Sequence, residues 1–147
     1  MFVINEMNEE NVSGVALLEQ MNFNDGWSEK SLREELTNEN ALYLVAYDEL
    51  TDKVIGAAGL IQSFDEGEIL NVSVMKEYRR KAVGSRLLDE IILRGRDRGI
   101  NAFTLEVREG NVAARKLYEK SGFVFEGIRP NFYSNPSEGA CIYWLRK

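Results

Sequence analysis

Two adjoining segments in the middle of this 147-residue chain carry its clearest structural pattern. Between Gly84 and Arg98 apolar residues recur at helical spacing, and Gly99 follows as a candidate C-cap. From Phe103 to Arg108 apolar and polar residues alternate, which is typical of a half-buried strand. This helix and strand are the basis for assigning the chain to the α/β class.

Further strands and helices are predicted on both sides of this pair. Ser28 is placed to cap a helix, and Trp27 is placed to pack onto Leu32 in its first turns. The others are a strand at 2–4, a helix from about 9 to 22, a hairpin of 42–47 and 54–62, a strand at 69–74, a helix from 111 to 122, and strands at 123–129 and 140–145. This order predicts a mixed sheet with helices on both faces, and the lack of any linker or repeat predicts one domain, residues 1–147.

The residue inventory excludes several kinds of chemistry. The chain has no histidine, which removes Ser-His-Asp and Cys-His nucleophile systems and histidine zinc sites. Its only cysteine, Cys141, stands among apolar strand residues and is predicted to be buried, and no metal site is expected. Proton transfers in an enzyme of this composition fall to Glu, Asp, Lys, Tyr or water.

Charge and hydropathy point to a cytoplasmic protein with cationic partners. The net charge of −6, from 18 basic and 24 acidic residues, opposes binding to nucleic acid and favours amines or basic protein tails. No apolar run approaches the ~20 residues that span a bilayer, so no membrane association is expected. The first residues lack the basic and apolar blocks of a signal peptide.

The segment from Tyr78 to Leu88 is basic within this acidic chain and leads from a strand into the central helix. A helix N-terminus presents unpaired N–H groups and a positive dipole, which suit a pyrophosphate. A solvated basic turn is the alternative interpretation. Neither G-x-G-x-x-G nor the Walker motif is present, so the two commonest phosphate loops are excluded.

Arg79-Arg80-Lys81-Ala82-Val83-Gly84 is similar to the Q/R-x-x-G-x-G/A motif of the GNAT family of N-acetyltransferases. Asn111 to Phe123 is similar to N-x-x-A-x-x-L-Y-x-x-x-G-F. With Trp27-Ser28-Glu29 near the start, the resemblance is strongest to members that acetylate the N-terminal alanine of a small-subunit ribosomal protein.

The resemblance implies a mixed, mostly antiparallel sheet of six or seven strands, splayed between two parallel strands at 69–74 and 103–107. Acetyl-CoA would lie in the gap, Glu106 would act as general base, and Tyr118 as general acid. The implied cofactor-binding residues are Val72, Ser73 and Val74 for the thioester and pantetheine arm, Arg80, Lys81, Ala82, Val83, Gly84 and Ser85 for the pyrophosphate, and Asn111.

Such an acid and base suit the reaction. An α-amino group has a pKa near ~8 and a lysine amine near ~10.4, so either must lose a proton before it attacks a thioester. A carboxylate, directly or through water, can remove that proton, and a phenol can protonate the leaving thiolate. From the residues alone, Glu106 also fits a solvated strand face, Tyr118 a packing tyrosine, and Asn111 a helix cap.

Two further positions bear on the acceptor and one on the cofactor. Glu19 lies on the apolar face of the first helix and is a candidate to face the substrate's ammonium group, with a long stem reaching solvent as the alternative. Tyr133, in a segment that departs from the family's R-x-x-Y-Y, is a candidate acceptor residue. Ala82 replaces the first glycine of the pyrophosphate motif, which costs about 1 kcal/mol if that position has a positive φ.

The leading hypothesis is therefore an acetyl-CoA-dependent N-acetyltransferase that acts on a protein N-terminus. Acetylation of a small amine or a lysine side chain is a second reading. A coenzyme A-binding module without turnover is a third, motivated by Ala82. The sequence leaves the oligomeric state open.

Overall fold

One seven-stranded sheet runs through the residues that the structure, a computed structural model, describes: 2–22, 27–79, 81–134 and 136–146. Its strand order is β1-β2-β3-β4-β5-β7-β6. The strands are β1 Phe2–Glu6, β2 Ala41–Asp48, β3 Lys53–Ser63, β4 Glu66–Val74, β5 Ala102–Arg108, β6 Val124–Tyr133 and β7 Glu138–Arg146. The helices are α1 Val12–Asn22, α2 Glu29–Glu35, α3 Val83–Asp97 and α4 Val112–Lys120.

Two hydrophobic cores lie on opposite faces of this sheet. α3 packs Leu87, Leu88 and Ile91 into the larger core, which α4 joins through Tyr118. α1 and α2 form the smaller core on the other face, where Leu32 is buried and Trp27 packs beside it. The helices thus cover both faces, as the order of elements predicts.

The sheet separates along the line between its two central strands. β4 and β5 are parallel and pair only from Glu66–Glu68 to Ala102–Thr104, while every other pairing in the sheet is antiparallel. Beyond that short ladder, the second half of each strand lines an open gap. The predicted fold class, a mostly antiparallel sheet splayed between two parallel strands, is confirmed.

A β-bulge in β4 accompanies this separation. Ile69 pairs with Leu60 and Val72 pairs with Ala58, so β4 contains one residue more than β3 over the same stretch. A bulge bends its strand and increases its twist, which directs the end of β4 away from β5. The ladder to β3 continues to Val74, so the bend turns β4 without detaching it from the sheet.

Local signals in the sequence placed most element ends correctly. Ser28 caps α2 by accepting the Ser31 N–H at 3.1 Å, and Gly99 ends the α3 segment with a φ of +87°. Cys141 is buried in β7, as predicted. A short 3-10 helix at Lys76–Tyr78, between β4 and α3, was not predicted. Across the described residues, no helix has the length and apolar character needed to cross a membrane.

Candidate active site

The gap between β4 and β5 continues between the first turn of α3 and helix α4. A methyl group built on Gly84 would lie 3.5 Å from both the Leu117 and Val74 side chains and 3.8 Å from Val72. These are ordinary van der Waals distances, so the missing side chain leaves room for about one methyl group among its neighbours. Gly84, β4 and α4 therefore meet at this end of the gap, which is named the cleft here.

Backbone groups of β4 face this cleft at every second residue. The Met75 N–H donates to the Ile55 carbonyl of β3 at 2.7 Å. Partners alternate along an antiparallel ladder, so Ser73, two residues earlier, also directs its backbone to β3. Val72 and Val74 direct theirs away from β3, into the gap. Of the three β4 residues predicted to hold the cofactor, only these two present backbone groups there.

The carbonyl of Val74 already has two partners in the gap. It accepts hydrogen bonds from Asn22 Nδ2 at 3.1 Å and from Arg79 Nε at 3.2 Å, and Arg79 also donates to Asn22 Oδ1 at 3.3 Å. The end of α1, the end of β4 and the start of the basic segment therefore meet at one oxygen. No sequence pattern indicates the position of Asn22 in this group, because Asn22 is more than fifty positions away from both Val74 and Arg79.

The start of α3 has the form of an anion site. Ala82 is the N-cap residue with a φ of 64°, and its side chain caps none of the first amides. The N–H groups of Val83, Gly84 and Ser85 open the helix, where backbone donors have no intrahelical acceptor. Lys81 is exposed beside them, and Arg80 lies outside the described residues.

Tyr118 is buried where α4 meets the sheet. Its side chain is 6% exposed, and its ring contacts Phe123 edge-on at a centroid distance of 6.0 Å and Tyr143 at 6.3 Å. Burial raises the pKa of Tyr118 above its ordinary value, so the phenol stays protonated. Within the described residues the hydroxyl makes no hydrogen bond to protein. The ring packs as a core residue while the hydroxyl is left available.

Tyr143 fixes the position of the helix that carries Tyr118. Its hydroxyl, in a fully buried residue of β7, donates to Glu119 Oε2 at 2.7 Å and accepts from Arg115 Nε at 3.1 Å. Arg115 and Glu119 lie four residues apart, on one face of α4. Two polar contacts therefore hold α4 against β7, one on each side of Tyr118 in sequence.

Glu106 lies in the part of β5 that has separated from β4. Its side chain is 20% exposed, and the buried Oε2 lies 2.8 Å from Arg129 Nε of β6. The Arg129 N–H is not directed at that oxygen, so among the described residues Oε2 is an ion-pair partner that accepts no hydrogen bond. The predicted alternative of a freely solvated strand face is wrong, because the side chain is mostly covered and has a cationic partner.

Tyr133 lies near Glu106 on the same face of the sheet. Burial and the charge of Glu106 raise the pKa of Tyr133 to about 12, and the Arg108 guanidinium lies 4.5 Å above its ring. Tyr133 in turn contributes to the raised pKa of Tyr118. Tyr133 is therefore electrostatically coupled to each of the two predicted proton-transfer residues, Glu106 and Tyr118.

Glu19 and Asn111 have structural partners. Ser73 Oγ donates to Glu19 Oε2 at 2.8 Å, and both side chains are buried, so the alternative of a stem reaching solvent is wrong for Glu19. Glu19 also lines a small cavity together with Trp27, with Leu32 of α2 and with apolar residues of the sheet. Asn111 Oδ1 accepts the Ala114 N–H at 3.1 Å, which confirms its predicted role as the α4 cap.

Arg129 is the functional candidate that sequence analysis missed. Its partner Glu106 lies in β5, and β7 separates β5 from β6 in the sheet. The chain enters β6 before β7, so the sequence alone suggests neither this strand order nor the ion pair. The place of Arg129 as the first residue of the segment similar to R-x-x-Y-Y was the available signal.

A sheet that opens between two parallel strands, with an amide-rich helix start beside the gap, has the architecture of the N-acetyltransferase class. The sequence profile of the Acetyltransferase (GNAT) family matches residues 12–123. The chain belongs to this family, and it is an N-acetyltransferase.

Relatives give the same assignment. A Bacillus subtilis (strain 168) protein, provisionally named ribosomal protein bS18-alanine N-acetyltransferase, is 31% identical over 143 residues, 97% of this chain and 93% of that protein. The Escherichia coli (strain K12) ribosomal protein bS18-alanine N-acetyltransferase is 35% identical over 107 residues, 73% of this chain and 70% of that protein. The crystal structure of the ribosomal-protein-S18-alanine N-acetyltransferase from Escherichia coli matches with a TM-score of 0.88 at 30% identity, covering 99% of this chain and 94% of that one.

Proposed function

We propose that this N-acetyltransferase is a single cytoplasmic domain that transfers acetyl from acetyl-CoA to a protein N-terminus, most simply the N-terminal alanine of a small-subunit ribosomal protein. The observation that supports this function most is the cleft in the split sheet, with the uncapped start of α3 beside it and Glu106 on the separated part of β5. The names of the relatives support the choice of acceptor. The net charge of −6 suits a cationic protein tail.

The cleft fits an acyl carrier with a long arm and a pyrophosphate. Val72 and Val74 supply backbone donors along one wall, and Gly84 leaves the wall open where its missing side chain would stand. The first amides of α3, from Val83 to Ser85, would hold the pyrophosphate, with Lys81 adding a positive charge. Acetyl-CoA supplies the activated acetyl group to this cleft.

Glu106 is the proposed general base. A protonated N-terminal amine cannot attack a thioester, and a carboxylate within reach, directly or through one water, removes the proton. Glu106 is ion-paired with Arg129, and its Oε2 accepts no hydrogen bond among the described residues, so a lone pair of that oxygen has no hydrogen-bond donor. Asn111 remains a proposed cofactor contact in addition to its capping role.

Tyr118 is the proposed general acid. Its hydroxyl holds a proton that the departing sulfur can take up, and burial, which raises the pKa of Tyr118, keeps that proton bound at neutral pH. The available hydroxyl favours this role, because a buried tyrosine kept only for packing usually gives its O–H a protein partner.

The test is release of free thiol from acetyl-CoA by the purified protein with three acceptors. These are a ribosomal-type peptide that begins with alanine, the same peptide with a blocked N-terminus, and a polyamine. Release with the free peptide alone supports the proposal. Release with the polyamine, or with both peptides, would move the acceptor to small amines or lysine side chains, and tight binding of coenzyme A without any release would favour a binding module.

Replacing Ala82 with glycine should tighten the binding of coenzyme A. Ala82 has a φ of 64°, a conformation that costs an L-residue about 1 kcal/mol or more and that glycine adopts freely. The change also removes a methyl group from the loop proposed to approach the pyrophosphate. We expect Ala82→Gly to lower the dissociation constant severalfold in isothermal calorimetry, and equal or weaker binding would reject the explanation.

Replacing Glu19 with glutamine should weaken the use of the amine acceptor. Glutamine keeps an oxygen for the Ser73 hydroxyl but removes the negative charge from the cavity beside β4. We expect the peptide KM to rise severalfold while the KM for acetyl-CoA stays within twofold. An unchanged peptide KM and kcat would exclude Glu19 from the acceptor site.

A further inference from the structure

A hydrogen bond from Tyr78 anchors the start of the segment that leads into α3. Tyr78 ends the short 3-10 helix after β4, and its hydroxyl donates to Asp48 Oδ2 at 2.6 Å. Asp48 is the last residue of β2, at the turn of the β2–β3 hairpin, and is only 6% exposed. The bond therefore connects the basic segment to a part of the sheet that is remote from the catalytic residues.

Asp48 is itself held in place for this contact. Its Oδ1 accepts the Leu50 N–H at 2.9 Å, and its backbone carbonyl accepts the Asp52 N–H at 2.8 Å. Thr51 Oγ1 lies 3.4 Å from the same Tyr78 hydroxyl. The hydrogen bond raises the pKa of Tyr78 and lowers that of Asp48, so it keeps the phenol protonated and the carboxylate charged.

The other end of the segment is fixed by packing. Val83 is 2% exposed in the larger core, immediately after Ala82 in its left-handed conformation. Between the two anchors, Lys81 places its Nζ 5.8 Å from the centroid of the Tyr78 ring. The part of the basic segment that precedes α3 is therefore anchored at Tyr78 and at Val83, and the Tyr78 ring lies beside the Lys81 ammonium group between these anchors.

We infer that Tyr78 and Asp48 are positioning residues that hold the pyrophosphate-binding segment in its binding geometry before the ligand arrives. The inference rests on the proposed function, because it requires the α3 amides to bind the pyrophosphate of coenzyme A. Backbone amides bind an anion well only when they point at one place, and a loop ordered in advance loses less entropy on binding. Neither is among the residues proposed to face the acetyl group or the amine.

The test compares coenzyme A with pantetheine, which lacks the pyrophosphate and the nucleotide. We expect Tyr78→Phe to raise the calorimetric dissociation constant for coenzyme A by roughly 5- to 10-fold, the scale of one hydrogen bond, and to leave pantetheine binding unchanged. Turnover with S-acetylpantetheine should be unchanged as well. Tyr47→Phe, which removes a hydroxyl from the neighbouring residue of β2, is the matched control and should affect neither ligand.

Asp48→Asn tests the same Tyr78–Asp48 hydrogen bond by altering its acceptor. It should also weaken coenzyme A selectively, and its effect should not add to that of Tyr78→Phe, because both changes alter one bond. Equal losses for coenzyme A and pantetheine, or full additivity, would overturn the inference and indicate a general structural effect. A wild-type protein that bound coenzyme A no better than pantetheine would overturn the proposed pyrophosphate site, and this inference with it.

Discussion

Tyr118→Phe should lower kcat by about 10²- to 10³-fold, the range expected for losing a general acid, while the KM for acetyl-CoA changes little. The substitution removes only the hydroxyl group, and among the described residues this group makes no hydrogen bond to protein. Its removal therefore breaks no contact that stabilises the fold. The free energy of unfolding should therefore stay within about 1 kcal/mol of wild type. Steady-state thiol release and thermal unfolding of the same preparation measure both effects, with Tyr47→Phe as the control.

The pH dependence gives a second check on Tyr118. Burial raises its pKa above the ordinary value of 10, so the phenol remains a proton donor throughout the range from pH 7 to 10. The wild-type rate should rise with pH as the amine loses its proton, and should show no fall below pH 10. A fall near pH 9, absent in Tyr118→Phe, would contradict the buried environment. A variant with full kcat would exclude Tyr118 as the acid.

Glu106→Gln should lower kcat by about 10²-fold or more at neutral pH, because the amide cannot accept a proton. The loss should shrink at high pH, where more of the amine is already unprotonated. Stability should change by no more than about 1 kcal/mol, since the partner Arg129 is 61% exposed and exposed ion pairs contribute little. Rate against pH for the variant and wild type measures this.

Glu126→Gln is the matched control for Glu106→Gln. Glu126 lies in β6 and is paired with Arg146. The substitution therefore removes one ion-paired carboxylate from the same half of the sheet. Its kcat should be close to that of wild type. Similar losses in the two variants would indicate that the charge of this region matters, and that Glu106 is not a specific base.

Local patterns made most of the fold predictable. Period-3.6 and period-2 repeats identified α3 and β5, and the caps at Ser28, Asn111 and Gly99 set helix ends because each depends on one side chain or one backbone conformation. The motifs then predicted the split sheet by resemblance. These features are short-range, so a sequence displays them directly.

What the sequence could not predict depends on strand order and on contacts between distant residues. The insertion of β7 between β5 and β6 brings Arg129 to Glu106, and the bulge in β4 decides that Val72 and Val74, rather than Ser73, present their backbones to the gap. The sequence could not predict the positive φ of Ala82, because alanine, unlike glycine, is not a residue type that indicates this conformation. Tertiary packing determines all three.

Tyr143 limits how α4 can change. Through Arg115 and Glu119 it prevents the helix from rotating about its own axis, so the direction of the Tyr118 hydroxyl depends on the sheet. We therefore expect changes around α1, α2 and the β6–β7 turn to alter the choice of acceptor without re-aiming Tyr118, the proposed proton donor. On this proposal, the leaving-group side of the reaction is separable from the choice of amine, and specificity can be altered on one side while the chemistry on the other is retained.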